Sequence, residues 1–388
     1  MTVTSPAGFT AAGLACGIKP SGDPDLSLVA TTGGTPVTAA AVFTQNKMTA
    51  APVVTTNAHL TLTGGQAAAV ILNSGCANAA TGAPGVDDAQ AMCAAVAAEL
   101  GCRAEEVLVC STGLIGYSLP MDRLLAGIPK LVAARSADGG ADAAEAIRTT
   151  DTHPKETLIS GDGFTVGGMA KGAAMLAPNM ATMLAVLTTD AAVEADELTE
   201  ALRGGVAESF NAMSTDGCTS TNDTVILLAS GEAGPPPDAA TFKAAVAEAC
   251  LDLATQMVGD AEGHTKVVEV RVVGALSDDE ARVGARKVAE SQLVKCSWYG
   301  RDPYWGRVAS ELGTAGITFE PDKLSVRYGD LVIAEGGVTA PVDEGALAAY
   351  MAQDHLEVTA NLGLGDGTAR ILTNDLTHAY IDENMGTS

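Results

Sequence analysis

Residues 171–190 read KGAAMLAPNMATMLAVLTTD, an apolar run that contains a single internal hydroxyl residue before its end, Thr182. This threonine follows the small residue Ala181 and comes shortly after Pro178. Threonine is common in strands, so one interpretation is a buried strand whose hydroxyl is satisfied by its neighbours. The other interpretation is that Thr182 is a nucleophile. The rest of the chain is needed to decide between the two.

Composition and charge narrow the possible classes of protein. The chain has 388 residues, of which 47% are hydrophobic and only 18% are charged, enough for a complete core in two or three domains. The formal net charge is −25. Such a surface repels polyanions, so we expect neither nucleic acid nor an anionic membrane surface as a partner. An acidic small substrate would need a local positive pocket.

Metal, nucleotide and export signals are missing from the sequence. The eight cysteines form no CxxC, the five histidines form no HExxH, and no GxxxxGK[ST] occurs. We therefore predict no metal site and no cofactor, and a Ser-His-Asp triad is poorly supported. The N-terminus does not resemble a signal peptide, and the apolar runs are too short to span a bilayer. The expected location is a reducing cytoplasm.

The order of helix-like and strand-like segments predicts a layered α/β fold. Strands often follow one another directly, as at 156–160 and 164–168 across a glycine turn, which fits sheets stacked between helices better than a doubly wound nucleotide fold. We predict a main domain over 1–275 and a C-terminal α/β domain over 276–388. Helices are predicted at 87–100, 120–134, 142–149, 195–209, 241–258, 278–294 and 343–353. Strands are predicted at 67–73, 107–110, 156–160, 164–168, 224–230 and 266–274, with further strands after 316.

Thr182 could serve as both nucleophile and base if the peptide bond after Ala181 were cut. The new α-amine would have a reference pKa of about 7.7–8.0, near working pH. It would lie within reach of the hydroxyl of the same residue. Ala181 is small enough to let that hydroxyl approach the preceding carbonyl, and Pro178 stiffens the approach.

Eight sequence blocks carry a family resemblance. The stretch MAKGAAMLAPNMATMLAVLTTDA resembles the signature of the ornithine acetyltransferase family, also called glutamate N-acetyltransferase. Seven more blocks resemble the family in the family's order, and together they span nearly the whole chain. These blocks are NSGCANAATG at 73–82, STGLIG at 111–116, TTDTHPK at 149–155, STNDTV at 220–225, DAEGHTK at 260–266, DPYWGR at 302–307 and TNDLTHAY at 373–380.

The resemblance implies a self-cleaving enzyme without a cofactor. Cleavage between Ala181 and Thr182 would give an α chain, 1–181, and a β chain that begins at 182. These would assemble as a heterotetramer in a sandwich fold with αββα layers, like that of N-terminal nucleophile hydrolases. Thr182 would carry acetyl from N2-acetylornithine to glutamate in a ping-pong cycle of arginine biosynthesis.

Site residues follow from the resemblance one by one. Thr112 and Gly113 match the pair that forms the oxyanion hole. Lys171, Thr149 and Glu262 match substrate-binding positions, as does Thr182 itself.

The C-terminal tail, ENMGTS, departs from the family pattern. Asn384 matches a substrate-binding position. The terminal hydroxyl contact is assigned to Ser388, with Thr387 as the alternative. Tyr304 stands where the family usually has asparagine, and Ala174 stands where glycine is more usual.

Several alternatives stay open at this point. An amidohydrolase or aminopeptidase could use the same N-terminal threonine with water as the acceptor. A metabolite-binding or scaffold protein could have lost the activity. Some relatives also accept acetyl-CoA as a donor, and some serve specialised pathways.

Overall fold

The structure is a computed structural model that describes residues 2–176 and 183–386. Its contacts divide the chain into two units. The first unit takes in the described residues of Met1–Asn211 together with Cys218–Met257, and the second those of Ala212–Gly217 and Val258–Ser388.

The first unit contains two sheets. Sheet A has the order β1-β2-β5-β6 and sheet B the order β4-β3-β11-β9-β8-β7. The strands of sheet A are Phe9–Leu14 (β1), Leu26–Thr31 (β2), Ala69–Cys76 (β5) and Val107–Leu114 (β6). Those of sheet B are Val37–Phe43 (β3), Gln66–Ala67 (β4), Lys155–Ser160 (β7), Thr165–Lys171 (β8), Leu184–Ala191 (β9) and Thr224–Gly234 (β11). The helices of this unit are Ala51–Thr63 (α1), Gly82–Leu100 (α2), Met121–Ala134 (α3), Gly140–Ala146 (α4), Ala195–Glu208 (α5) and Ala239–Val258 (α6).

The two sheets of the first unit face each other across a shared core. Val70 and Leu108 of sheet A lie in one buried cluster with Val186 and Ile226 of sheet B. Because strand side chains alternate between faces, Ile71, which follows Val70 in β5, points to the opposite face of sheet A.

Helices cover the outer faces of both sheets. The outer face of sheet A packs against Met92 of α2 and Leu131 of α3. Leu253 of α6 lies against Gly168 of sheet B, and Gly205 of α5 packs closely on α6. The layers therefore run helix, sheet, sheet, helix, which confirms the layered α/β prediction.

The second unit is built on one sheet, sheet C, with the order β10-β17-β12-β16-β13-β14-β15. Its buried core includes Val270, Val288, Trp298 and Tyr328. The strands are Met213–Ser214 (β10), Val267–Ala275 (β12), Ser325–Tyr328 (β13), Leu331–Glu335 (β14), Val338–Thr339 (β15), His355–Asn361 (β16) and Gly367–Asn374 (β17). The helices are Asp278–Ala289 (α7), Gln292–Tyr299 (α8), Trp305–Gly313 (α9), Glu344–Met351 (α10) and His378–Glu383 (α11).

Some predicted boundaries differ from the observed ones. The single helix predicted over 278–294 is two helices, because the Ser291 side chain accepts a hydrogen bond from Val294 N and starts α8. The helix predicted from residue 87 begins earlier, at Gly82. The second unit includes β12, which pairs with β16 and β17. The domain division near residue 275 stays a prediction. Among the described residues no helix is both long and apolar enough to cross a membrane.

Candidate active site

The Thr112-Gly113 pair lies at the end of β6, where the regular pairing with β5 is interrupted. Ser74 pairs with Thr112 and Gly75 with Gly113, and a bulge follows at Gly75 and Cys76. Gly113 has φ +124, and a Cβ there would lie 2.3 Å from the carbonyl carbon of Gly75. Only glycine fits this backbone and this close approach. The strand predicted over 107–110 therefore continues to Leu114, and its bulge depends on Gly113.

A buried network of amides and a hydroxyl fixes the backbone around this bulge. Ser111 Oγ donates to Asn73 Oδ1 at 2.6 Å, and Asn73 Nδ2 donates to the carbonyl of Cys76 at 2.8 Å. Asn222 Nδ2 donates to the carbonyls of Ala77 at 2.6 Å and of Ser111 at 2.9 Å. Because each of these buried amides is hydrogen-bonded, the network holds both strands in one arrangement. Asn73, Ser111 and Asn222 lie within the sequence blocks, but the sequence assigned them no role.

Lys171 brings a positive charge to Thr112 and Gly113 at the bulge of β6. It is the last residue of β8, its exposed fraction is 4%, and its Nζ donates to Thr112 Oγ1 at 3.1 Å. Two residues that the sequence predicted separately, for the oxyanion and for the substrate, are thus in direct contact. A buried cation at this point is the local positive charge that an acidic chain needs to hold an anionic substrate.

Asp151 forms a fully buried ion pair beside this lysine. Its Oδ1 lies 2.6 Å from Lys155 Nζ and accepts a hydrogen bond from Gly172 N at 2.7 Å, while Thr149 N donates to Oδ2 at 3.0 Å. Burial alone would raise the pKa of Asp151, but the charges of Lys171 and Lys155 outweigh it and hold that pKa well below its usual range. Thr149, a predicted binding residue, is therefore held on Asp151. The sequence reasoning missed both members of the pair.

Asp223 is a second buried carboxyl of the site, and its surroundings are different. It is 1% exposed, and its Oδ1 accepts a hydrogen bond from Met183 N at 2.9 Å. Burial raises the pKa of Asp223 well above its usual value, against smaller opposing effects from Met183 N, from the Thr44 and Ser220 hydroxyls and from the Lys171 charge. In the sequence, the only indication of a role for Asp223 is its position in the STNDTV block at 220–225.

The predicted nucleophile and the predicted terminal contact lie outside the described residues. These positions are Ala181 and Thr182 at the proposed cut, and Thr387 and Ser388 at the chain end. The structure does place Met183, the residue that follows Thr182 in the sequence, against Asp223.

Glu262 and Asn384 are brought together in the second unit. Asn384 Nδ2 donates to Glu262 Oε2 at 2.8 Å and to the carbonyl of Tyr380 at 2.9 Å. Gly263 allows this approach, because it has φ +60 and a Cβ there would lie 2.2 Å from Tyr380 N. The other described residues predicted for the site belong to the first unit.

Within residues 2–176 and 183–386, no group of three or more histidine, cysteine, aspartate or glutamate side chains could hold a metal ion. At the Gly113 bulge, the groups that could act on a substrate include the Thr112 hydroxyl and the buried Lys171 ammonium. Donors and a cation around one point are typical of sites that stabilise an oxyanion in acyl transfer. The geometry therefore defines a site of the acyl-transfer class.

Comparison with known proteins identifies the family. The model of the ArgJ family matches residues 10–386, which is nearly the whole chain. The chain therefore belongs to the ArgJ family, and the resemblance found in the sequence blocks is confirmed.

Individual relatives agree with this assignment. The arginine biosynthesis bifunctional protein ArgJ of Thermobifida fusca is 47% identical over 388 residues, covering 100% of both chains. The protein of the same name from Mycobacterium tuberculosis strain H37Rv is 50% identical over 394 residues, covering 100% of this chain and 96% of the relative. Among solved structures, the ornithine acetyltransferase of M. tuberculosis complexed with ornithine is 52% identical, with a TM-score of 0.44, covering 46% of this chain and 94% of that chain.

Proposed function

We propose that this protein is a glutamate N-acetyltransferase that moves an acetyl group from N2-acetylornithine to glutamate. Membership of the ArgJ family over residues 10–386 is the observation that carries the proposal. As a member of this family, at 47–50% identity to bifunctional arginine biosynthesis proteins, the protein is an acyltransferase of arginine biosynthesis. Acetyl-CoA is a possible second donor for the same acceptor.

Cleavage between Ala181 and Thr182 creates the nucleophile. The free α-amine of Thr182 takes the proton from its own hydroxyl as Oγ1 attacks the acetyl carbonyl of N2-acetylornithine. The tetrahedral intermediate then collapses, the C–N bond breaks, and the proton goes to the departing amine of ornithine. The amine of glutamate attacks the acetyl-threonine ester in the second half of the cycle and restores the hydroxyl.

Thr112 and Gly113 stabilise the oxyanion of both tetrahedral intermediates. This role is supported by the bulge at Gly75, which bends the strand end, and by the buried amides that hold it in place. Donors fixed before the reaction do not have to reorganise as charge develops, which is the usual source of such stabilisation.

Lys171 and Thr149 bind the part of the substrate that is common to both half-reactions, the α-carboxylate beside an α-nitrogen. The charge of Lys171 suits the carboxylate. In the second unit, Glu262 suits an ammonium group, and Asn384, which already holds Glu262 in place, acts with Ser388 or Thr387 at the chain end. Two α and two β chains form a heterotetramer in the cytoplasm.

The proposal is tested by intact-mass measurement of the purified protein before and after addition of N2-acetylornithine. We expect two chains of similar length, with one acetyl group added to the chain that begins at Thr182. Transfer to glutamate is then measured against release of free acetate, which separates the transferase from an amidohydrolase.

The Thr182→Ala variant is the control for this experiment. It should stay as one chain of 39.0 kDa and transfer no acetyl group. A wild-type preparation that transfers acetyl to glutamate while its chain remains whole would contradict the proposed mechanism.

A further inference from the structure

We infer that Asp223 is a positioning residue that fixes the backbone at Met183, directly after the proposed nucleophile, and so sets the position of Thr182 for cleavage and for acetyl transfer. This inference rests on the proposed function, because it gives Asp223 a task only if Thr182 is the reacting residue.

The first support is the way in which Met183 is held at both of its backbone groups. Met183 N donates to Asp223 Oδ1 at 2.9 Å, and Thr224 N donates to the carbonyl of Met183 at 3.2 Å. The strands β9 and β11 run parallel, with Leu184 opposite Thr224. Met183 therefore precedes β9 and Asp223 precedes β11, at the same end of the sheet. Met183 directly follows Thr182 in the sequence, so this anchor acts one peptide bond away from the proposed nucleophile.

The second support is that Asp223 is poorly suited to a role in folding alone. Its side chain is buried, and Oδ2 has no hydrogen-bond partner in the described part of the chain, although the Thr44 and Ser220 hydroxyls are near enough to lower the pKa of this carboxyl. An unpaired buried oxygen lowers stability, and proteins retain such groups mainly at functional sites. The raised pKa of this carboxyl agrees with the same surroundings.

Asp190, which lies in β9, provides a matched control. It closes β9 at the opposite end, where its carboxyl accepts hydrogen bonds from Thr165 N at 2.7 Å and from Ala7 N at 3.3 Å. Asp190 is also buried. Removing either carboxyl therefore removes backbone hydrogen bonds at one end of β9, but only Asp223 binds the residue that follows the proposed nucleophile in the sequence.

The experiment follows self-cleavage over time in cell-free translation of the full chain, for wild type, Asp223→Ala, Asp223→Asn and Asp190→Ala. The thermal midpoint of each product is measured as well. We expect Asp223→Ala to slow cleavage, and the later acetylation of Thr182, by about 10- to 100-fold, as is usual when a reacting group is misplaced by about 1 Å. Asp223→Asn should keep most of the rate, because its amide oxygen still accepts from Met183 N.

Asp190→Ala should cleave at the wild-type rate even where its thermal midpoint falls as far as that of Asp223→Ala. Equal rates for Asp223→Ala and wild type would overturn the inference. So would equal slowing in Asp190→Ala, since the effect would then follow stability. If the wild-type chain itself stays whole, the proposed function fails first, and this result is distinct from the other two.

Discussion

The charge of Lys171 lowers the pKa of two buried carboxyls of the first unit, Asp151 and Asp223. The net shifts of the two pKa values nevertheless have opposite directions. Asp151 lies against Lys155 and accepts backbone hydrogen bonds from Gly172 and Thr149, so its charged form is favoured. Asp223 accepts a hydrogen bond from Met183 N, but burial outweighs this bond and the smaller effects of the Thr44 and Ser220 hydroxyls and of Lys171. Burial alone therefore does not decide the charge of a carboxyl, because the number and charge of its partners decide it.

The difference suggests a division of labour within the site. Asp151 is a charged carboxylate that pairs with Lys155. It also holds the backbone at Thr149 and at Gly172, just after β8. Asp223 is an acid that remains neutral to higher pH and anchors the start of β9 next to the proposed nucleophile. The predictions below test this contrast.

Asp151→Ala should have the largest effect on stability. It leaves the fully buried Lys155 without its carboxylate, and losing one partner of a buried pair costs about 3–5 kcal/mol of unfolding free energy. Denaturant titration measures this loss. The double variant with Lys155→Met should recover part of the loss, and a loss below about 1 kcal/mol in the single variant would show that the pair is not formed.

Asn222→Ala should have the next largest effect. It removes the amide that holds the carbonyls of Ala77 and Ser111, and unpaired buried groups of this kind cost about 1–3 kcal/mol. Acetyl transfer should also slow, because the backbone before Thr112 and Gly113 would lose a hydrogen bond that fixes its position. Asn57→Ala on the exposed face of α1 is the control, with an expected change within about 0.5 kcal/mol. Wild-type activity in Asn222→Ala would show that the network does not support the oxyanion hole.

Stability as a function of pH should separate the two carboxyls by sign. The folded-state pKa of Asp151 is lowered, so the advantage of wild type over Asp151→Asn is present above the unfolded pKa, about 3.9, and is lost as pH falls below it. The folded-state pKa of Asp223 is raised, so wild type loses stability relative to Asp223→Asn as pH rises from about 3.9 through the folded value. Unfolding free energies measured between pH 3 and pH 8 would show both trends. If the unfolding free energies of the two variants, each relative to wild type, changed with pH in the same direction, the proposed difference between Asp151 and Asp223 would be contradicted.

Lys171→Met should change stability less than Asp151→Ala or Asn222→Ala, by about 1 kcal/mol or less, because Asp151 keeps Lys155 and an apolar side chain removes the cost of burying a charge. Acetyl transfer should nevertheless be lost. Denaturant titration together with the transfer assay tests both parts. A variant that is strongly destabilised would mean that Lys171 is mainly a structural partner of Asp151.

The sequence predicted elements with strong local signals and missed those without them. The helices near 121–134, 195–208 and 239–258 were found because apolar periodicity and terminal residues mark them. The strands over Phe9–Leu14, Leu26–Thr31 and Val37–Phe43 were missed. Phe9–Leu14 and Val37–Phe43 are built largely from Ala, Thr and Gly, whose small side chains give little alternation of apolar and polar residues, and Leu26–Thr31 is buried along its whole length.

The site was predicted in part for a related reason. Thr112 and Lys171 were identified through family blocks, but the 3.1 Å hydrogen bond between them was not predicted. The roles of Asp151 and Asp223 depend on partners that are distant in sequence, such as Gly172 for Asp151 and Met183 for Asp223. No local pattern reports a contact of that kind, since it exists only once the strands of sheet B have come together.

The most direct test of the whole account is to locate the acetyl group on the enzyme. After incubation with N2-acetylornithine and acid quench, peptide mapping by mass spectrometry should find the acetyl group on Thr182, at the first position of its own chain, and addition of glutamate should remove it as N-acetylglutamate. An acetyl group on any other residue, or its absence from an enzyme that forms N-acetylglutamate from these substrates, would contradict the account.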